Sequence, residues 1–85
     1  MNNIANYASE TLYFSDVGAR NHFLDGLERR CANVVWLDSR AVLQNGTWAA
    51  EIVPIQGIGI RLRIVSNEPV ADLWQQVHST LGLTL

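Results

Sequence analysis

Between Gly57 and Val65 the chain reads GIGIRLRIV, an alternation of apolar and polar positions. Ile58, Ile60, Leu62 and Ile64 share one face of the implied strand, and Arg61 and Arg63 share the other. A helical pattern follows in SNEPVADLWQQVHSTLG, where Val70, Leu73, Trp74, Val77 and Leu81 form one apolar stripe. Ser66 or Asn67 is the expected cap, Pro69 falls in the first turn, and Gly82 supplies the stop. His78 is then expected to point off the stripe. A weaker helix is expected over SDVGARNHFLDGLERRCA. Ser15 or Asp16 caps it, and Phe23, Leu24, Leu27 and Cys31 form its buried side. His22, Asp25, Glu28 and Arg29 face water, and Asn33 ends it. Gly18 and Gly26 each weaken it by about 1 kcal/mol relative to alanine.

The segment NVVWLDSRAVLQNGTWAAEIVPIQ holds Asn45-Gly46 between two strand-like runs, a strong hairpin signal. A two-residue turn there pairs Leu43 with Trp48, Ala41 with Ala50 and Arg40 with Glu51. The last pairing sets opposite charges across from each other. Leu37, Leu43, Trp48, Ala50 and Ile52 then form the core face. Trp36, Asp38, Arg40, Val42, Ala49, Glu51 and Val53 form the other, unless a bulge before Ala41 turns Trp36 inward. Pro54 ends the strand because it has no N–H to donate. TLYFS, residues 11–15, reads as a short strand, and residues 1–10 as a frayed lead-in or a short helical turn. The tail LTL could pair with a sheet edge.

The expected order is β-α-β-β-β-α, a single small α+β domain spanning 1–85 with its folded core in 11–85. Its antiparallel sheet carries both helices on one face. The other face is left for solvent or a partner.

Hydrophobic residues make up 48% of the 85 residues and charged residues 16%, too apolar for a disordered chain. Net charge is −2, which fits neither a strongly basic nucleic-acid binder nor an extreme acidic mimic of one. All six basic residues are arginines, planar forks suited to carboxylate or phosphate. The lone Cys31 builds no internal disulfide, so a reducing, cytoplasmic setting is expected. MNNIANYASE has neither the basic nor the apolar run of a secretory signal, and no stretch suits a membrane helix.

The candidate site is the open sheet face, with Trp36, Arg40, Val53, Arg61 and Arg63, because tryptophan and arginine dominate binding hot spots. The plainer reading is a solvated face on which Arg61 and Arg63 pair with Glu51 and Asp38. From residue 16 onward the α-β-β-β-α order resembles the double-stranded RNA-binding domain in topology. Members of that family carry a basic cluster at the start of the last helix. Here that region is NEPVADLWQQ, without a basic residue, so no binding residues carry over. Arg29-Arg30 is the only adjacent basic pair.

Catalysis lacks a motif. Cys31 and His22 lie about 13 Å apart along one helix, and the carboxylates look scattered and exposed. No zinc spacing and no phosphate-binding loop is present, so neither metal nor cofactor is expected. Trp48 and Trp74 read as core, or as the lining of a small-ligand pocket between helix and sheet.

The expectation is a non-catalytic protein-binding module, an adaptor or inhibitor that uses the open face or a sheet edge. Edge pairing would give a homodimer. Nucleic-acid binding and small-ligand binding are the alternatives. Small domains without catalytic motifs are often adaptors, or inhibitors carried by phages and other mobile elements, an expectation resting on size alone.

Overall fold

The computed structural model describes residues 6–83. Its strands are β1 (Tyr7–Tyr13), β2 (Val34–Leu37), β3 (Arg40–Asn45), β4 (Trp48–Pro54) and β5 (Gly59–Ser66). Its helices are α1 (Val17–Arg30) and α2 (Trp74–Leu81). The strands form one antiparallel sheet in the order β1-β5-β4-β3-β2. Chain order is therefore β-α-β-β-β-β-α, an α+β fold with one strand more than expected between the helices.

β5 lies between β1 and β4. Ile60, Leu62 and Ile64 are fully buried, while Arg61, Arg63 and Val65 are exposed. Opposite residues of an antiparallel pair share a face, so this alternation is passed to both neighbours. On β4 it buries Ile52 and Ala50 against Leu62 and Ile64. On β1 it turns Ala8, Glu10 and Leu12 inward. Phe23, Leu24 and Leu27 of α1, with Val77 and Leu81 of α2, complete the core from that same side. At about 25 cal/mol per Å² of apolar surface, this burial is the main stabilising term.

The β3–β4 hairpin turns on Gly46-Thr47, one residue later than expected. Gly46 has φ +63°, as the first central residue of a type II′ turn requires. Leu43 therefore pairs with Ala50, Val42 with Glu51 and Ala41 with Ile52. Moving the turn by one residue shifts both strands together, so Ala41, Leu43, Trp48, Ala50 and Ile52 keep the buried face.

Before β3 the reading is corrected. Asp38-Ser39 is a second tight turn, which splits the expected long strand into β2 and β3. Asp38 has φ +57°, a left-handed conformation that aspartate tolerates better than most residues. Reversing the chain there exchanges the faces. Trp36 lies opposite Ala41 on the helix side, and Leu37 lies opposite Arg40 on the outer side, 46% exposed. No bulge is needed to turn Trp36, and Leu37 is not core.

Three further expectations change. β1 starts at Tyr7, so residues 7–10 of the lead-in are strand, and residues 1–5 lie outside the described residues. The last helix begins with a separate 3-10 turn, Val70–Asp72, after Pro69 in an extended conformation (ψ 127°). Ser66 Oγ accepts from the Glu68 N–H at 2.8 Å, a local turn rather than a helix cap. Of the tail, Leu83 forms no strand, and residues 84 and 85 lie outside the described residues.

His78 does not point off the stripe. It is 6% exposed, with Nε2 2.9 Å from Glu10 Oε1 and its ring stacked on Trp74. Spacing is the cause: His78 lies four residues after Trp74 and three before Leu81, so it falls on the buried face of α2, where the inward Glu10 meets it.

Arg30 joins the two helices. Its Nε donates to the Leu81 carbonyl at 3.0 Å and its Nη2 to the Phe23 carbonyl at 2.7 Å, over the Phe23 ring. A Cβ on Gly26 would overlap Nη1 of Arg30, and one on Gly82 would lie 2.6 Å from its Nε. These two glycines clear the path of the arginine. Gly26→Ala should therefore lower the melting temperature, although alanine adds about 1 kcal/mol of helix propensity. It displaces a guanidinium whose two bonds are worth about 1 kcal/mol each. In an Arg30→Ala background the same change should raise the melting temperature. Thermal unfolding of the four proteins in this cycle checks the sign reversal, and stabilisation in both backgrounds would contradict it.

Candidate protein-binding face

The outer sheet face is built by the alternate residues that the core rejects. β1 contributes Tyr7, Ser9, Thr11 and Tyr13, and β5 contributes Arg61, Arg63 and Val65. β4 contributes Ala49, Glu51 and Val53, β3 contributes Arg40, Val42 and Gln44, and β2 contributes Val35 and Leu37. Among the described residues no element covers it. Tyr7, Tyr13, Val35, Leu37 and Val65 are all large hydrophobics exposed on this face.

Its centre is charged. Glu51 receives Arg40 at 2.7 Å and Arg63 at 3.5 Å. Arg63 Nε also donates to the Tyr7 hydroxyl at 3.1 Å, and its guanidinium sits over the Tyr7 ring. The Tyr7 hydrogen bond is the largest cause raising the Arg63 pKa above its ordinary value. Arg61 lies between Thr11 and Val53, and its side chain makes no hydrogen bond or ion pair among the described residues. The expected pairing of Arg61 and Arg63 with Glu51 and Asp38 is thus made only by Arg63 with Glu51.

Of the sequence-derived candidates, Arg40, Val53, Arg61 and Arg63 share this face. Trp36 does not. It lies on the helix side of the edge strand β2 and is 36% exposed. Tyr7, Tyr13, Val35, Leu37 and Val65 belong to the face but were not among those candidates. Val65 could have been found from the β5 alternation, and Tyr13 from alternation within TLYFS. Tyr7 and Leu37 required the true start of β1 and the Asp38-Ser39 turn.

Charge is segregated across the fold. The outer face holds Arg40, Arg61 and Arg63 against the single carboxylate Glu51, a formal +2. The other three arginines stand against seven carboxylates, a formal −4, within a total of −2. Arg30 of the basic pair Arg29-Arg30 is committed to the Leu81 and Phe23 carbonyls. Arg20 is similarly committed, donating to the Ile55 carbonyl at 2.9 Å.

Cys31 lies apart from this face, 5% exposed, with Sγ 3.3 Å from the Thr80 carbonyl oxygen. Burial pushes its thiol pKa up, opposed by the Arg30 charge. Glu10, expected to be exposed, is half-buried against His78. Among the described residues no three His, Cys, Asp or Glu side chains gather where one metal ion could be held. A hollow of about 400 Å³ lies between β1, α1 and Leu83, lined by Leu12, Phe14, Phe23 and the already committed Arg30. It is not beside Trp48, which is buried, or Trp74, which stacks on His78.

Two outcomes follow for Cys31. Native protein at neutral pH should react with an alkylating reagent far more slowly than free cysteine, and the reaction should accelerate through the denaturant transition. Its raised folded pKa contributes stability below the ordinary thiol value of 9.0, and that stability is lost as pH rises through the folded value. Alkylation of the native thiol at the free-cysteine rate would contradict its burial.

No helix among the described residues is long and apolar enough to cross a membrane. Comparison of the chain with protein-family models, with curated proteins and with solved structures returns no match.

Proposed function

We propose that this chain is a non-catalytic protein-binding module, an adaptor or inhibitor, whose outer sheet face docks a partner protein. The observation that carries the reading is the uncovered face itself, where exposed Tyr7, Tyr13, Val35, Leu37 and Val65 surround an arginine-rich centre. Large apolar side chains exposed together on one uncovered sheet face point to an interaction site, whereas singly scattered ones do not. Arginine and tyrosine are, with tryptophan, the residue types enriched at the hot spots of such interfaces.

The formal +2 of the face, against −4 elsewhere, favours a partner surface that is apolar and acidic. It disfavours face-to-face packing of two copies, which would set Arg61 and Arg63 against their own kind. Nucleic acid is a weaker fit. Arginines free to meet phosphate are few, and the sheet face offers no continuous basic stripe.

The test is affinity capture from source-cell lysate with and without nuclease, comparing wild type with Arg61→Ala/Arg63→Ala and with Arg29→Ala as a helix-side control. The reading expects a protein captured after nuclease treatment, retained by Arg29→Ala and reduced about tenfold or more in the double variant. Capture that depends on nucleic acid, or that survives in the double variant and fails in the control, would overturn it.

A further inference from the structure

The two edges of the sheet are defended differently. β1, at one edge, turns the carboxylate of Glu10 inward, tied to His78 at 2.9 Å. An inward charge on an edge strand discourages a further strand from adding there. β2, at the other edge, reads Val34-Val35-Trp36-Leu37, with no charge, proline or bulge, and Val35, Trp36 and Leu37 are all exposed. Its only defence is its short length.

The backbone of β2 also has bonding capacity to spare. Leu37 and Arg40 flank a two-residue turn, so they exchange hydrogen bonds with each other. By the alternation of an antiparallel ladder, Val35 does the same with Val42. The N–H and C=O of Val34 and Trp36 therefore point away from β3, and among the described residues no strand meets them.

We propose that two copies of this chain pair antiparallel along β2, about a two-fold axis through Val35. This register is selected by the backbone. It sets Val34 of each copy opposite Trp36 of the other, so their outward groups exchange about four hydrogen bonds. It also preserves both faces. Val34 meets Trp36 on the helix side, covering the exposed part of that indole. Val35 meets Val35 on the outer side. Centring on Trp36 instead would oppose Val34 to Asp38, whose left-handed backbone is unsuited to a ladder.

Charge agrees with this occupant. Arg29 lies exposed in the last turn of α1, just before the N-terminal end of β2, and Asp38 follows its C-terminal end. Antiparallel pairing brings Asp38 of each copy toward the α1 end of the other, giving two symmetric opposite-charge approaches. The paired copies form one continuous sheet with all helices on one side and the two outer faces merged on the other. A four-residue edge is smaller than the roughly 800 Å² per partner of a standard interface, so the dimer is weak and reversible. The inference is independent of what the outer face binds.

Sedimentation equilibrium of the full chain over a wide concentration range tests it. Wild type is expected to rise from 9.5 kDa toward twice that mass. Val35→Lys and Val35→Glu each place like charges across the axis and should weaken dimerisation by about tenfold or more. An equimolar mixture of the two should restore it. Circular dichroism confirms that each variant is folded, and Thr11→Lys on the β1 edge should dimerise as wild type does. A wild type that stays at 9.5 kDa throughout, or dimerisation unchanged in the folded Val35 variants, would overturn the proposal.

Discussion

The structure depends on the one-sided burial of β5. Ile60, Leu62 and Ile64 have no accessible surface, and the residues between them are two arginines. Slipping this strand by one position would bury Arg61 and Arg63 and expose three large aliphatic side chains, a penalty of many kcal/mol. That fixes the face of β5, and antiparallel pairing then fixes the faces of β1 and β4 beside it. The apolar stripes of α1 and α2 have only that side to cover. The open outer face is thus a consequence of where the core can form.

The same constraint sorts the charges. Strand residues that must alternate with the core carry Arg40, Glu51, Arg61 and Arg63 outward, while the carboxylates of Asp16, Asp25, Glu28, Glu68 and Asp72 accompany the helical side. Exposed pairs such as Arg40–Glu51 contribute little to stability, about 1 kcal/mol or less. Their importance is to hold arginine side chains in place on a surface whose exposed large apolar residues are Tyr, Val and Leu. By contrast Arg30 serves the fold, bridging α1 and the end of α2 through a path that Gly26 and Gly82 leave open.

Much of the fold was legible in the sequence because it rests on periodicity. β5, the buried stripe of α1 and the positions Val70, Leu73, Val77 and Leu81 all follow from spacing alone. The hairpin kept its faces despite a misplaced turn, because moving the turn by one residue changes the pairing without changing which residues share a side. Asp38-Ser39 was not legible in the same way. It lacks glycine, and Asp38 adopts its left-handed conformation in a run that otherwise reads as continuous strand. Missing it displaced both Trp36 and Leu37. β1 was cut short because Ala8, Ser9 and Glu10 have low strand propensity, and their place comes from pairing with β5. The burial of His78 was legible from its spacing to Trp74 and Leu81, whereas its partner Glu10 was hidden with the start of β1. Within the candidate site, the arginines and Val53 could be read from alternation, whereas Tyr7 and Leu37 required tertiary structure.

The most direct test of an open face that closes on a partner is oxidative footprinting of the isolated protein and of the captured complex. Tyr7 and Tyr13 report on the outer face, and the exposed His22 reports on the helical side. The account predicts that all three are modified in the isolated protein and that only the two tyrosines are protected in the complex. Protection of His22 with the tyrosines still modified would place the partner on the helices and contradict it.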